Sequence, residues 1–207
     1  MAQAVASLGM RRKLTPRGIE RRTQLMEHAT SLFADRGYHP TSVSDIVDSL
    51  GVGKGVFYWY FSSKEELLGE ILRDAHLQLR RAQQAALADE SDPVRRIELG
   101  ILASLEWFRG HREYFAITQF AATDETFAPV LRRSREVAVA DTVRHIKEAI
   151  VEGRIADGAP ELLAHAILGV VDQLTRRYLI ERDEPVDQIA SAAIAFCIHG
   201  LAGSAGD

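Results

Sequence analysis

At 207 residues, with 46% hydrophobic and 26% charged side chains, the chain is long enough for one or two domains with real cores, and its composition is neither disordered nor fibrous. The single Cys197 excludes an internal disulfide framework, suits a reducing cytoplasm, and leaves no Cys/His cluster for a zinc or thiol-redox centre. The net charge of −4 conceals a division: residues 1–64 carry nine Lys/Arg against five Asp/Glu (+4), and residues 65–207 carry sixteen against twenty-four (−8). A polyanion-binding footprint therefore belongs to the amino-terminal quarter, with the acidic remainder held away from it.

Taken in order, residues 1–14 show no helical period and carry Arg11, Arg12 and Lys13, a flexible basic arm able to touch phosphates. Their apolar residues precede the basic ones, the reverse of a secretory signal. Thr15-Pro16 reads as cap and first residue of a helix whose apolar face, Ile19, Leu25, Met26, Ala29, Leu32 and Phe33, runs to a stop at Gly37. Arg17, Arg21 and Arg22 at its start are within reach of a DNA backbone.

Next comes TSVSDIVDSLGVGKGVFYWYFSSKEELL, from Thr41 to Leu68. Ser42 and Asp45 stand at capping-box spacing before Val43, Ile46, Val47 and Leu50, and Gly51 can take the left-handed conformation that ends a helix. Apolar periodicity resumes at Val56, Phe57, Tyr60 and Phe61. Helix, tight glycine turn, helix is a helix-turn-helix, whose second helix enters a major groove. Lys54 in its first turn can donate to guanine O6 and N7, and Tyr58, one turn on, can hold a phosphate without reading sequence. Ser63 and Glu66 make a second capping box, and the new helix offers a phosphate its free N–H groups and the Lys64 ammonium.

Thr41, Ile46, Gly51, Val52, Tyr58, Phe61, Lys64 and Leu67 together resemble the DNA-binding region of the tetracycline-repressor-like (TetR) family of bacterial regulators. The family often has Ser or Thr where this chain has Gly53, a departure that weakens the cap by only a few tenths of a kcal/mol but loses a hydroxyl that could meet a phosphate. The candidate DNA-contact set is Thr41, Ser42, Gly53, Lys54, Gly55, Val56, Tyr58, Trp59, Tyr60 and Lys64.

From Ser63 a helix continues to about Ala88, and further helices follow near 93–110, 112–122, 126–152, 160–182 and 185–201, with no useful strand alternation. The fold expected is all-α: a three-helix helix-turn-helix domain over 15–62 and a larger helical effector-binding and dimerisation domain over 63–207. Residues 189–206 hold no Asp, Glu, Lys or Arg, yet they are diluted by Gly and Ser and lack basic anchors, so a subunit interface is expected there in place of a membrane span. That interface is assigned to Leu162, Ala166, Val170, Ile189, Ala193, Phe196 and Cys197, in agreement with what the resemblance implies for the last two helices. Trp107, His111, Tyr114, Phe115, Gln119, Phe120, Phe127 and His145 are the candidates for a small-molecule pocket, offering as a group aromatic walls and polar groups, with ordinary core packing the alternative for each. No HExxH, nucleophile elbow or Walker loop occurs, so neither an enzyme nor a cofactor or metal ion is expected. The function read from the chain is a ligand-responsive, homodimeric repressor of a palindromic operator, acting in the cytoplasm with operator DNA and a small-molecule effector as partners. A constitutive architectural DNA binder is the alternative, and a helical enzyme a more distant one.

Overall fold

The computed structural model describes residues 14–202, excluding the side chains of 199–202; the basic arm expected over 1–14 lies outside it apart from Leu14. Every described element is helical: α1 (Pro16–Arg36), α2 (Val43–Asp48), α3 (Lys54–Tyr60), α4 (Lys64–Leu87), α5 (Pro93–Gly110), α6 (Arg112–Thr123), α7 (Ala128–Val151), α8 (Pro160–Leu174), a π-helical turn (Thr175–Ile180) and α9 (Val186–Ala202).

The expected caps form. Thr15 accepts from the Gly18 amide with Pro16 at the first helical position, and α1 ends at Gly37 with φ of +87°. In α2, Ser42 accepts from the Asp45 amide while the Asp45 carboxylate takes the Ser42 amide at 2.7 Å, the reciprocal box. The Ser42 hydroxyl and amide hold the Asp45 carboxyl below its ordinary range. Gly51, with φ of +63°, makes the turn into α3, a conformation strained for any side chain with a Cβ. At α4 the box differs from expectation: Ser63 accepts from the Glu66 amide, but the Glu66 carboxylate reaches past it to the amide and hydroxyl of Ser62, both at 2.6 Å.

Two cores form. The first gathers Leu25, Ala29 and Phe33 of α1, Ile46 and Val47 of α2, and Phe57 and Phe61 around α3, and it closes on Leu67, Leu68, Ile71 and Leu72 of α4. Ile117 and Ala121 of α6 and Phe127 complete it from the far side. The second core is built from α5, which packs against α4, α7 and α9, and from α8 against α7. The first half of α4 therefore belongs to the first core, and its second half leans on α5 and α7.

Where one helix is expected over 160–182, the ladder shifts after Leu174 into the π turn, with the Glu181 amide bonding the Arg176 carbonyl five residues back at 3.1 Å. The turn buries Thr175 and Leu179 together at 0% and 1% exposure, and it leaves the Thr175 hydroxyl without a partner among the described residues. Thr175→Val, which keeps the shape and removes the orphan hydroxyl, is expected to raise the unfolding free energy by about 1 kcal/mol in urea titration. A loss of that size would mean that the hydroxyl is hydrogen-bonded.

Candidate functional site

α3 is held from beneath by Phe57 and Phe61, at 0% and 1% exposure, so its remaining faces are outward. At 100° per residue, Lys54 and Tyr58 stand together, with Gly55 and Trp59 beside them. Lys54 and Gly55 are exposed, and Tyr58 and Trp59 are open at 56% and 55%. Val56 and Tyr60 are half-buried; Trp59 and Tyr60 meet edge to face at 4.8 Å. Gly53 caps α3 without a side-chain bond, and no atom lies within 4 Å of a Cβ built on Gly53 or Gly55, so a surface can approach the backbone closely there. Ser42 is exposed, its hydroxyl engaged in the α2 cap.

Two of the expected contact residues lie elsewhere. Thr41 is 1% exposed and its hydroxyl donates to the Gly37 carbonyl at 2.8 Å, so it braces the α1–α2 connection from inside. Lys64 donates to the carbonyls of Tyr38 and Thr41 at 2.8 and 2.7 Å, and its ammonium sits 4.2 Å from the centre of the Tyr38 ring. Burial pushes this ammonium down from its ordinary pKa. Both of its strong bonds are internal, and they tie α4 to the loop that carries α2. Arg22 is similarly occupied: its guanidinium pairs with Glu70 at 2.6 Å and lies over Phe61.

The eight residues expected to wall an effector pocket do not come together. Phe120 and Phe127 surround Tyr38, at ring distances of 5.1 and 5.4 Å, and so form the seam between the two parts of the molecule. Burial and the nearby Glu65 carboxylate push the Tyr38 hydroxyl up. Trp107 stacks flat on His111 at 4.3 Å, Tyr114 adjoins them, and the Tyr114 hydroxyl donates to the Ile71 carbonyl of α4 at 3.4 Å. Phe115 is core, edge-on to Phe108, and Gln119 is half-buried on α6 away from the cavity enclosed by α4, α5, α7 and α8. His145 alone of the eight lines that cavity.

The cavity lies between α4, α5, α7 and α8, with about 90 Å³ inside, and opens beside a groove of about 510 Å³ between α4 and α7. Apolar walls come from Ile97, Ile101, Ile167 and Val171; polar groups come from Arg80, Gln83, Ser104, Asp141 and His145. Arg80 holds Asp141 through two bonds of 2.7 and 3.2 Å, and Gln83 donates to Ser104 at 2.8 Å. The His145 ring is 8% exposed and its Nδ1 has no hydrogen-bond partner among the described residues. Burial, reinforced by Arg144, pushes its pKa down, so the imidazole is neutral at pH 7. Arg80 and Gln83 were not singled out from the sequence, although polar residues on the inner face of α4 after Ala75, where the apolar stripe should continue, were the available signal.

The expected interface residues also divide. Leu162 and Phe196 are each 69% exposed, Ala166 is exposed and Val170 half-buried. Ile189, Ala193 and Cys197, at 4%, 0% and 5%, are one stripe of α9 turned into the protomer's own core, which corrects their assignment to the interface. The stripe repeats every four residues, whereas Phe196 lies 100° away from Cys197. Burial pushes the Cys197 thiol up, which keeps it protonated and inert. Among the described residues no helix is long and apolar enough to cross a membrane, and no group of three His, Cys, Asp or Glu could hold a metal ion.

The model of bacterial regulatory proteins of the tetR family matches residues 25–71, which span the first core from α1 into α4. The repressor DhaR of Mycobacterium sp. (strain GP1) is 32% identical over 174 residues, 81% of this chain and 87% of that protein. The chain belongs to the TetR family. It is therefore a DNA-binding transcriptional regulator and not an enzyme. The regulator TtgR of Pseudomonas putida is 30% identical over 79% of this chain and 82% of that protein. A TetR-like regulator from Rhodococcus sp. RHA1 has the same fold, with a TM-score of 0.77 at 24% identity over 92% of this chain and 100% of that one.

As a TetR-family protein with Lys64 turned inward, it should respond to Lys64→Met by losing about 1–3 kcal/mol of unfolding free energy. The salt dependence of its DNA affinity should not change. A salt slope reduced by about one unit at full stability would return Lys64 to the phosphate contacts.

Proposed function

We propose that the chain is a ligand-responsive repressor that binds a palindromic operator as a homodimer and is released when a small molecule occupies the cavity between α4, α5, α7 and α8. The observation that carries this reading is α4 itself: one end lies in the core beneath the recognition helix, and the other supplies Arg80 and Gln83 to the cavity. Relatives named as repressors support repression as the output. A constitutive architectural binder would need neither the cavity nor its unsatisfied histidine. A regulator of this kind acts on DNA in the cytoplasm.

In this reading residues 15–62, together with the first half of α4, read DNA, and the rest binds effector and partner. Dimeric readers place their recognition helices about 34–36 Å apart, one turn of DNA, so a shift of a few ångströms in α4 costs binding. The coupling needed is about 1–3 kcal/mol, and operator DNA must weaken effector binding by the same factor. Lys54, Gly55, Tyr58 and Trp59 form the surface presented to the groove, and the backbone at Gly53 approaches it. Leu162, Ala166, Val170 and Phe196 form the apolar face offered to a second copy.

Lys54→Ala is expected to cost about 1–3 kcal/mol of specific affinity and to flatten base preference at one position in each half-site. Sequencing of fragments selected by the variant checks this, and undiminished contrast there would remove Lys54 from base reading. Phe196→Glu, at a side chain open to solvent in the single chain, should keep the fold by circular dichroism and sediment as a monomer. A stable dimer would move the interface off this face.

A further inference from the structure

Residues 65–207, which carry the cavity, are acidic by eight charges, yet the walls of the cavity and of the adjoining groove invert that sign. Together they hold five arginines, Arg73, Arg80, Arg96, Arg133 and Arg144, and one carboxylate, Asp141. Arg73 has Glu70 and Arg96 has Glu148 as outside partners, at 2.8 and 2.6 Å. Arg133 and Arg144, both exposed at the rims, have no ion-pair partner among the described residues, so the compartments keep an excess of positive charge. Lone solvated arginines explain a rim charge but not its concentration around one concavity.

The wall shared by the two compartments is narrow. It consists of Arg80 and Gln83, three residues apart on α4, and Ala138 and Asp141, three apart on α7. Behind it lies the buried His145 Nδ1, without a hydrogen-bond partner among the described residues and 4.0 Å from a Glu148 carboxylate oxygen; before it lies a groove lined by Leu77, Leu79, Val130 and Val137. The inner space of about 90 Å³ admits a head group only, whereas the groove of about 510 Å³ has the size of a small-molecule site.

From this geometry we infer that the effector is an amphiphilic monoanion: its carboxylate head crosses the wall, takes the Arg80 guanidinium from Asp141 and reaches His145, while its apolar body fills the α4–α7 groove. The inference rests on the effector-responsive reading above and names the ligand class for it. A carboxylate reproduces the forked bond that Asp141 now makes, so the guanidinium stays paired throughout the exchange. What changes is the tie: α4 is no longer bonded to α7 through Arg80, and Asp141 is left beside the groove that Arg133 also lines. A cation cannot make this exchange, and an uncharged head leaves the Arg80–Asp141 bond in place.

The test uses the full-length protein at pH 7 with three probes of equal length, octanoate, 1-octanol and octylamine, titrated by calorimetry and, separately, against protein bound to an operator selected from random DNA. Octanoate should bind about tenfold or more tighter than octanol, with octylamine weakest. Asp141→Asn, which frees Arg80 without removing it, should tighten octanoate selectively. Arg80→Gln, folded by circular dichroism, should bind octanoate and octanol alike; if it does not fold, Asp141→Asn decides. Equal or better binding of octanol in the parent protein, no binding of any probe, or octanoate affinity unchanged in Asp141→Asn would overturn the inference. Operator release by octanol or octylamine but not octanoate would overturn the anion class and leave the effector reading intact. Tight, Arg80-dependent octanoate binding with unchanged operator affinity would keep the anion site and remove its regulatory role.

Discussion

One helix has to satisfy two cores. Leu67, Leu68, Ile71 and Leu72 of α4 are fully buried beneath the helix-turn-helix, and a dozen residues later the same rod is fixed to α7 by Arg80 and to α5 by Gln83. A helix rises about 1.5 Å per residue and resists bending, so the two attachments cannot move independently. Whatever displaces Arg80 must either strain the first core or carry it along. The regulation proposed above needs no device beyond this constraint.

The seam at Tyr38 sharpens that constraint. Its ring stacks with Phe120 and also meets the Lys64 ammonium, while its carbonyl accepts from that same ammonium. Lys64 is the first residue of α4, so one side chain clamps the helix start to the connection between α1 and α2. Phe120 and Phe127 bring the larger domain into the same cluster. The amino-terminal unit is thus gripped at two points, by α4 from within and by α6 and the start of α7 from outside.

Where the sequence was informative, local chemistry explains why. Thr15-Pro16, Ser42 with Asp45, and the glycines at 37 and 51 act within a single turn of chain, so their spacing alone marks the ends of α1, the start of α2 and the turn into α3. The internal bonds of Lys64 escaped the sequence because its partners lie 23 and 26 residues upstream, a distance no local pattern reports. In α9 the phase was lost for a different reason: apolar residues cover more than one face, and the polar side marked by Asp187, Gln188 and Ser191 is not continued by polar residues at 192–198, so Ile189, Ala193 and Cys197 could not be told from Phe196. The cavity was sought among aromatic residues, but its walls are Ile and Val with polar groups borrowed from α4 and α7, and nothing in a one-dimensional pattern brings those helices together.

The packing of α4 also fixes where this molecule can be cut and rejoined. A chimera that exchanged only residues 15–62 for those of another regulator would set a foreign recognition unit on Leu67, Leu68, Ile71 and Leu72, four large side chains shaped to Phe33, Ile46, Phe57 and Phe61. Close-packed interiors tolerate such mismatched halves poorly. A junction beyond Ala75 would instead carry the whole first hydrophobic layer with the incoming DNA reader, leaving only the contacts around Tyr38 and on α6 to be matched by substitution. Modular sensors assembled from this scaffold should therefore be spliced inside the helix, not at the loop before it.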